Sequence, residues 1–312
     1  MRTLYFDCFS GISGDMVIGA LIDAGADPLQ MEKELKKLNM DEEYTLSWRK
    51  IVKNGITSTK FDVILTSKSE QPFDHSHSHE HEHSHVHEHS HSHSHEHEHS
   101  HSHSHEHEHS HNQGHEHSHN QGHEHSHAHE HSHSHVLHHH HDSRTYKQIV
   151  EAIKVANFNE SVTNMSLAIF KKIGEAEGRI HGLPLEKVHF HEVGAVDSII
   201  DIIGTAILID QIGIESVQSS AIPTGSGHIH IDHGIYPVPA PATLEILKGV
   251  PIASNVIRSE LATPTGAAIA SALAETFGSL PAMTVESIGY GAGTKTFENH
   301  PNVLRVIIGE TQ

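Results

Sequence analysis

The stretch Thr3-Leu4-Tyr5-Phe6-Asp7-Cys8-Phe9-Ser10-Gly11-Ile12-Ser13-Gly14-Asp15-Met16 decides how the rest of the chain is read. Its first residues form a short apolar run of the kind that makes a buried strand. The Gly/Ser turn Ser10–Asp15 breaks that run, and an apolar helix is expected from about Met16 to Ala24. A strand, a tight turn and a helix in immediate succession imply that sheet and helix pack on each other. A strand ending at Asp7 beneath such a turn also presents free amides and hydroxyls where an anion can sit. Ser10, Gly11, Ser13 and Gly14 are therefore candidate binding residues. No Gly-Lys-Ser/Thr follows, so the turn is not a Walker A loop and a GTPase-type metal chaperone is disfavoured.

Working outward, Pro28 is placed to open a second helix running to about Leu38. Tyr44–Val52 and Thr57–Leu65 alternate around Lys53-Asn54-Gly55 and predict a hairpin. Beyond the histidine tract, helices are expected at Tyr146–Ala156, Val162–Ile180 and Val196–Gln211. Val188–Glu192 and Val217–Ile222 read as strands, and a polar Gly/His loop comes after the second of them. The proline-rich stretch Pro237-Val238-Pro239-Ala240-Pro241 is unsuited to a central strand and opens a helix ending near Lys248, Pro264 opens another to about Phe277, and Val285–Tyr290 and Val303–Ile308 close the chain as strands. The fold class is α/β or α+β: a mixed sheet with packed helices, interrupted by a disordered His-rich insertion. The expected division is 1–73 as the N-terminal α/β part of the core, 74–142 as the insertion and 143–312 as the remainder of the core.

Residues 74–142 hold 33 of the 40 histidines, ten Glu and two Asp, with no Lys or Arg. Only Val86, Ala128, Val136 and Leu137 are apolar there, too little to offset the entropy of ordering the segment. Histidine alternates from His75, His77 and His79 to His111 and ends in the run His138, His139, His140 and His141. Neutral imidazole suits Ni, Zn and Cu, so the tract reads as a metal-collecting segment whose loading is proton-coupled. An internal block is not a terminal purification tag. A slipped repeat without a role and zinc buffering both remain open.

The formal net charge of −20 makes the chain a poor partner for nucleic acid or anionic membranes. Cys8 is the single cysteine, which excludes internal disulfides and thiolate zinc sites. It reads as a small packed residue rather than a nucleophile. The N-terminus lacks an apolar signal stretch, and the greasiest run, Ile199–Ile214, is broken by Asp201, Asp210 and Gln211. A cytoplasmic protein that self-associates is the expectation.

In Val188-His189-Phe190-His191-Glu192, strand periodicity puts His189 and His191 on one face. Asp197 and Asp201 follow at i,i+4 on one face of a helix. Two imidazoles and several carboxylates would then meet at one strand–helix junction, although surface histidines beside an N-terminal Asp would look the same. A second cluster, Gly225-Ser226-Gly227-His228-Ile229-His230-Ile231-Asp232-His233-Gly234, adds His228, His230 and His233 as candidate metal ligands. Thr263-Pro264-Thr265-Gly266 forms a hydroxyl-lined helix start, making Thr263, Thr265 and Gly266 further binding candidates.

Taken together these motifs resemble the LarC family, the nickel insertion proteins that make the nickel-pincer nucleotide cofactor of lactate racemase. The resemblance is carried by Phe6–Met16, His189–Ser198, Pro237–Thr243 and Glu260–Ala267, in the family's order, with an internal His-rich insertion. It implies a lyase or chelatase-type cyclometallase that uses CTP with Mn(II) or Mg(II). The expected reaction places Ni(II) in pyridinium-3,5-bisthiocarboxylic acid mononucleotide, bonded to two sulfurs and a ring carbon. Loss of the ring proton needs a base, for which Glu192, Asp197 and Asp15 are candidates on chemical grounds. Family chains continue beyond the equivalent of Gln312 into a domain that binds CTP, so a separate C-terminal subunit is an expected partner. Nickel or zinc storage and delivery without catalysis is the competing reading.

Overall fold

A computed structural model of the chain describes residues 1–66, 144–190, 195–231 and 234–312. Seven strands build its main sheet. They are β1 (Arg2–Asp7), β2 (Tyr44–Lys53), β3 (Ile56–Leu65), β4 (Ser216–Ser219), β9 (Thr276–Phe277), β10 (Met283–Ala292) and β11 (Val303–Thr311). The sheet is mixed and runs in the order β2-β3-β10-β11-β1-β4-β9. β1 pairs antiparallel with β11 and parallel with β4, so the first and last strands are neighbours near the centre of the sheet. β10 joins β11 antiparallel and meets β3 in parallel, which brings in the β2–β3 hairpin. Its turn, Asn54-Gly55, is left-handed at both residues, as a two-residue hairpin requires.

Helix α1 (Gly14–Asp23) packs on β10 and β3, and α5 (Val196–Ile212) packs on α1. Leu4 and Phe6 of β1, Val17, Ile18 and Leu21 of α1 and Ile199, Ile202 and Ile203 of α5 are all buried. Full burial of each such side chain is worth roughly 2 kcal/mol of apolar transfer. α2 (Pro28–Leu35) begins with Asp27 accepting from Leu29 N and Gln30 N and with Pro28 at its first turn. α3 (Tyr146–Val155) opens with a capping box between Thr145 and Gln148, and α4 (Glu160–His181) packs on α5. α6 (Pro241–Ile246) and α7 (Pro264–Leu273) pack on α4. No helix among the described residues is long and apolar enough to cross a membrane.

Four expectations about elements need correction. Val188–Phe190 is not a strand but a single bridge, Thr145 to His189, because the chain here runs past the start of α3 rather than beside a sheet. The predicted alternation survives, with Val188 and Phe190 buried and His189 exposed. The Gly/His loop contains a hairpin, β6 (His228–Ile231) with β7 (Gly234–Pro237). Val217–Ile222 divides into β4 and β5 (Ile222–Pro223), which leaves the main sheet to pair with β8 (Ile252–Ala253). The helix from Pro264 stops at Leu273, where Ala274 turns extended and β9 begins soon after.

Candidate active site

The turn between β1 and α1 meets the start of α7 in a backbone seam. Ile12 N donates to Leu261 O at 2.9 Å, and Thr263 N donates to Ile12 O at 3.1 Å. Gly11 has φ +96°, and a Cβ there would sit 2.0 Å from Leu261 O. Both the left-handed backbone and the close approach demand glycine. Gly266 closes the seam from the other side, where a Cβ would lie 2.2 Å from Ile12 O.

In front of this seam opens a cleft of about 630 Å³. Ser13, Gly14 and Asp15 line it from α1, Asp197, Ser198 and Asp201 from α5, and Thr263, Pro264 and Thr265 from α7. Lys60 and Asp62 enter from β3, Ile229 to Ile231 from β6, and Thr294 and Lys295 from the loop after β10. The β6 hairpin is held in place by the segment before α7, through Ser226 N to Ser259 O at 3.2 Å and Leu261 N to Thr224 O at 3.1 Å.

An ion-pair network organises the floor. The Lys60 ammonium is nearly solvent-free and donates to Asp15 Oδ2 at 2.7 Å, Asp62 Oδ1 at 2.9 Å and Phe61 O at 2.7 Å. Burial opposes its charge, but Asp15 and Asp62 outweigh that and hold its pKa above the ordinary lysine value. Ser13 Oγ donates to Asp15 Oδ1, and Arg49 pairs with Asp62 at 2.6 Å. Asp201 has no ion pair among the described residues and accepts only from the Asp15 amide. Its Oδ1 is buried without a hydrogen-bond partner among the described residues. Gly14 makes room for it, since a Cβ there would lie 2.5 Å from Asp201 Oδ2. Burial first, then the charges of Asp15 and Asp197, raise the Asp201 pKa well above the ordinary carboxyl range, with Lys60 and the Asp15 amide pulling weakly the other way. The cleft therefore contains one carboxyl, Asp201, whose surroundings favour its protonated form.

The predicted site residues separate on this geometry. Asp15, Ser13, Gly14, Asp197, Thr263, Thr265 and His230 meet in the cleft, although Ser13 and Thr265 belong to opposite ends of the chain. Ser10, Gly11 and Gly266 lie outside its lining, and Thr263 Oγ1 caps its own helix by accepting from Gly266 N at 3.2 Å. His189 and His228 are exposed and are not lining residues. His191, Glu192, His233 and the tract residues His75, His77, His79 and His138 to His141 lie outside the described residues. Among the described residues no three His, Cys, Asp or Glu side chains converge to hold a metal ion. Cys8 is buried, and burial pushes its thiol up to about 12, as expected of a packed residue. Sequence reasoning missed Lys60, Asp62 and Lys295. In an alternating hairpin strand, Lys60 and Asp62 look like an ordinary solvated face.

A family model described as nickel insertion protein matches residues 4–312. A pyridinium-3,5-bisthiocarboxylic acid mononucleotide nickel insertion protein of Geobacillus kaustophilus is 44% identical over 99% of this chain and 60% of its own length. A protein of the same name from Staphylococcus epidermidis is 41% identical over 98% of this chain and 59% of its own. That of Clostridium kluyveri is 39% identical over 100% and 63%. The chain thus spans about three fifths of the length of the relatives it matches. No solved structure matches it.

Proposed function

The chain belongs to the nickel insertion protein family, and from that membership we propose that it acts in the insertion of Ni(II) into pyridinium-3,5-bisthiocarboxylic acid mononucleotide. The reaction is a CTP-dependent cyclometallation of lyase or chelatase type, and its product is the nickel-pincer cofactor that activates lactate racemase. Ni(II) and the mononucleotide are both substrates. CTP, with Mn(II) or Mg(II), is assigned to the C-terminal part that longer family members carry.

The observation that carries this reading is the Asp201 carboxyl in a cleft large enough for a mononucleotide. In the insertion step the ring C–H bond breaks and its electron pair becomes the Ni–C bond, while the proton leaves to a base. A base works best when its pKa lies near the working pH, and Asp201 is the cleft carboxyl moved in that direction. Asp15 is poorly suited, because its two oxygens are already engaged by Ser13 Oγ and Lys60 Nζ. We assign it to positioning instead, and Asp197 to the charge that raises the affinity of the Asp201 carboxylate for the departing proton. No protein triad is needed to hold nickel, since two sulfurs and the ring carbon of the substrate supply donors. His230 on the cleft wall is the imidazole placed to hand the ion over. The His tract serves as the reservoir.

The test is formation of a nickel-containing nucleotide from Ni(II), CTP, Mn(II) and the pincer nucleotide, with the C-terminal part of a longer relative supplied in trans. Asp201→Asn is expected to slow insertion by about 100-fold or more with nucleotide binding retained. A storage protein would yield no such product, and its absence with the unaltered chain would sink the enzyme reading. Deleting 74–142 is expected to lower nickel capacity but keep insertion at saturating nickel.

A further inference from the structure

Resting on the assignment of the cleft to a pyridinium mononucleotide, we infer that Lys295 receives the substrate's phosphate and so determines which end of the nucleotide faces the acids. The cleft is electrically lopsided. Asp15, Asp62, Asp197, Asp201 and Glu260 line it, and the ammonium of Lys60 is fully used by Asp15, Asp62 and Phe61 O. A phosphate dianion entering that region would meet carboxylates and no available donor from Lys60. Like charges a few ångströms apart repel by roughly 1 kcal/mol even when fully hydrated, and by more as water is excluded. Lys295, on the same cleft, is exposed and has no ion-pair partner among the described residues.

The second observation is how its backbone is held. Lys53 is a buried lysine at 8% exposure. Its ammonium donates to Thr294 O at 3.3 Å, Lys295 O at 3.0 Å and Thr296 Oγ1 at 3.1 Å. Asn302 Nδ2 donates to the same Lys295 carbonyl at 2.8 Å, and Asn54 Nδ2 to Glu298 O at 3.0 Å. Burying an ammonium is costly, and burial together with nearby Lys60 draws the Lys53 pKa below its ordinary value. The buried ammonium holds the backbone at 294–296 in place, beside the cleft that Lys295 lines. A single mobile ammonium on an ordered base suits a terminal phosphate, which needs charge more than a rigid fork. The first turn of α7 lines the same cleft, and its dipole favours an anion there too. With the phosphate drawn to Lys295, the pyridinium ring is left to face Asp201.

Calorimetric binding of pyridinium-3,5-dicarboxylic acid mononucleotide, the oxygen analogue of the substrate, compared with its dephosphorylated nucleoside, tests this. The unaltered chain is expected to prefer the mononucleotide by about tenfold or more at low salt. Lys295→Gln is expected to reduce that preference to about threefold or less without changing nucleoside affinity, and Lys295→Arg to keep most of it. Lys248→Gln, outside this cleft, controls for a general loss of positive charge. A preference that survives Lys295→Gln overturns the inference and leaves the proposed function standing. If the unaltered chain binds neither compound, the proposed function fails and the inference with it.

Discussion

The starts of α1 and α7 look alike in sequence, each a small hydroxyl residue followed by a glycine-containing helix opening, yet they use that hydroxyl differently. At α7, Thr263 Oγ1 is consumed locally, accepting from Gly266 N in an ordinary cap. At α1, Ser13 makes no cap; its hydroxyl donates to Asp15, which Lys60 grips from β3. The Thr263 hydroxyl is used within its own helix, whereas the Ser13 hydroxyl serves a carboxylate held by a strand some 45 residues away. A helix start that leaves its own cap unmade and spends its hydroxyl on a carboxylate is organised for the cleft rather than for the helix.

The pairing of the two starts breaks most severely at the seam that joins them. Gly11→Ala forces a side chain into a left-handed backbone and onto Leu261 O, and is expected to cost more than about 3 kcal/mol. Urea denaturation checks this; a loss below about 1 kcal/mol would mean the turns are not locked together. Next comes Lys60→Met, which leaves Asp15 with Ser13 and Asp62 with Arg49 as their remaining partners. It is expected to cost roughly 2 to 3 kcal/mol in the same measurement, below the fully buried case because both acids are partly solvated.

Asp201→Asn should move stability in the opposite direction, and with a definite pH dependence. The folded pKa of Asp201 is raised, so between its unfolded value near ~3.9 and that raised value the folded state holds the extra proton. Its contribution to stability is therefore greatest in acid and declines as pH rises through this window. Asparagine removes the ionisation, so the melting temperature should rise relative to the unaltered chain at about pH 7 to 8, with the advantage shrinking toward about pH 4. An advantage independent of pH would contradict the assignment of the proton. Smallest are the hydroxyls themselves: Thr263→Ala should cost about 1 kcal/mol as a lost cap, and Ser13→Ala less than about 0.5 kcal/mol. Equal losses would erase the distinction between the two starts.

Much of this arrangement was legible along the chain because it depends on local periodicity. Asp197 and Asp201 sit four residues apart on a real helix, Pro28 and Pro264 open helices where the sequence places them, and Val188 and Phe190 point inward around exposed His189. The His pair at 189 and 191 looked more persuasive than its surroundings justify, because alternation alone does not supply a neighbouring strand. Lys60, Asp62 and Lys295 carried no motif. Their meaning lies in partners distant in sequence, Asp15 for Lys60, and Lys53 for the loop that bears Lys295.

By itself, the sequence determined the mixture of strands and helices, the dense histidine tract at 74–142 and the family motifs. Each depends on composition or on spacing within one element. Only the tertiary structure decided which of the candidate groups share a cleft and, among the described residues, which carboxyl oxygen is buried without a hydrogen bond and which cleft lysine has no ion pair. Those properties follow from desolvation and from distances between side chains, and neither exists until β3, α1, α5 and α7 pack together.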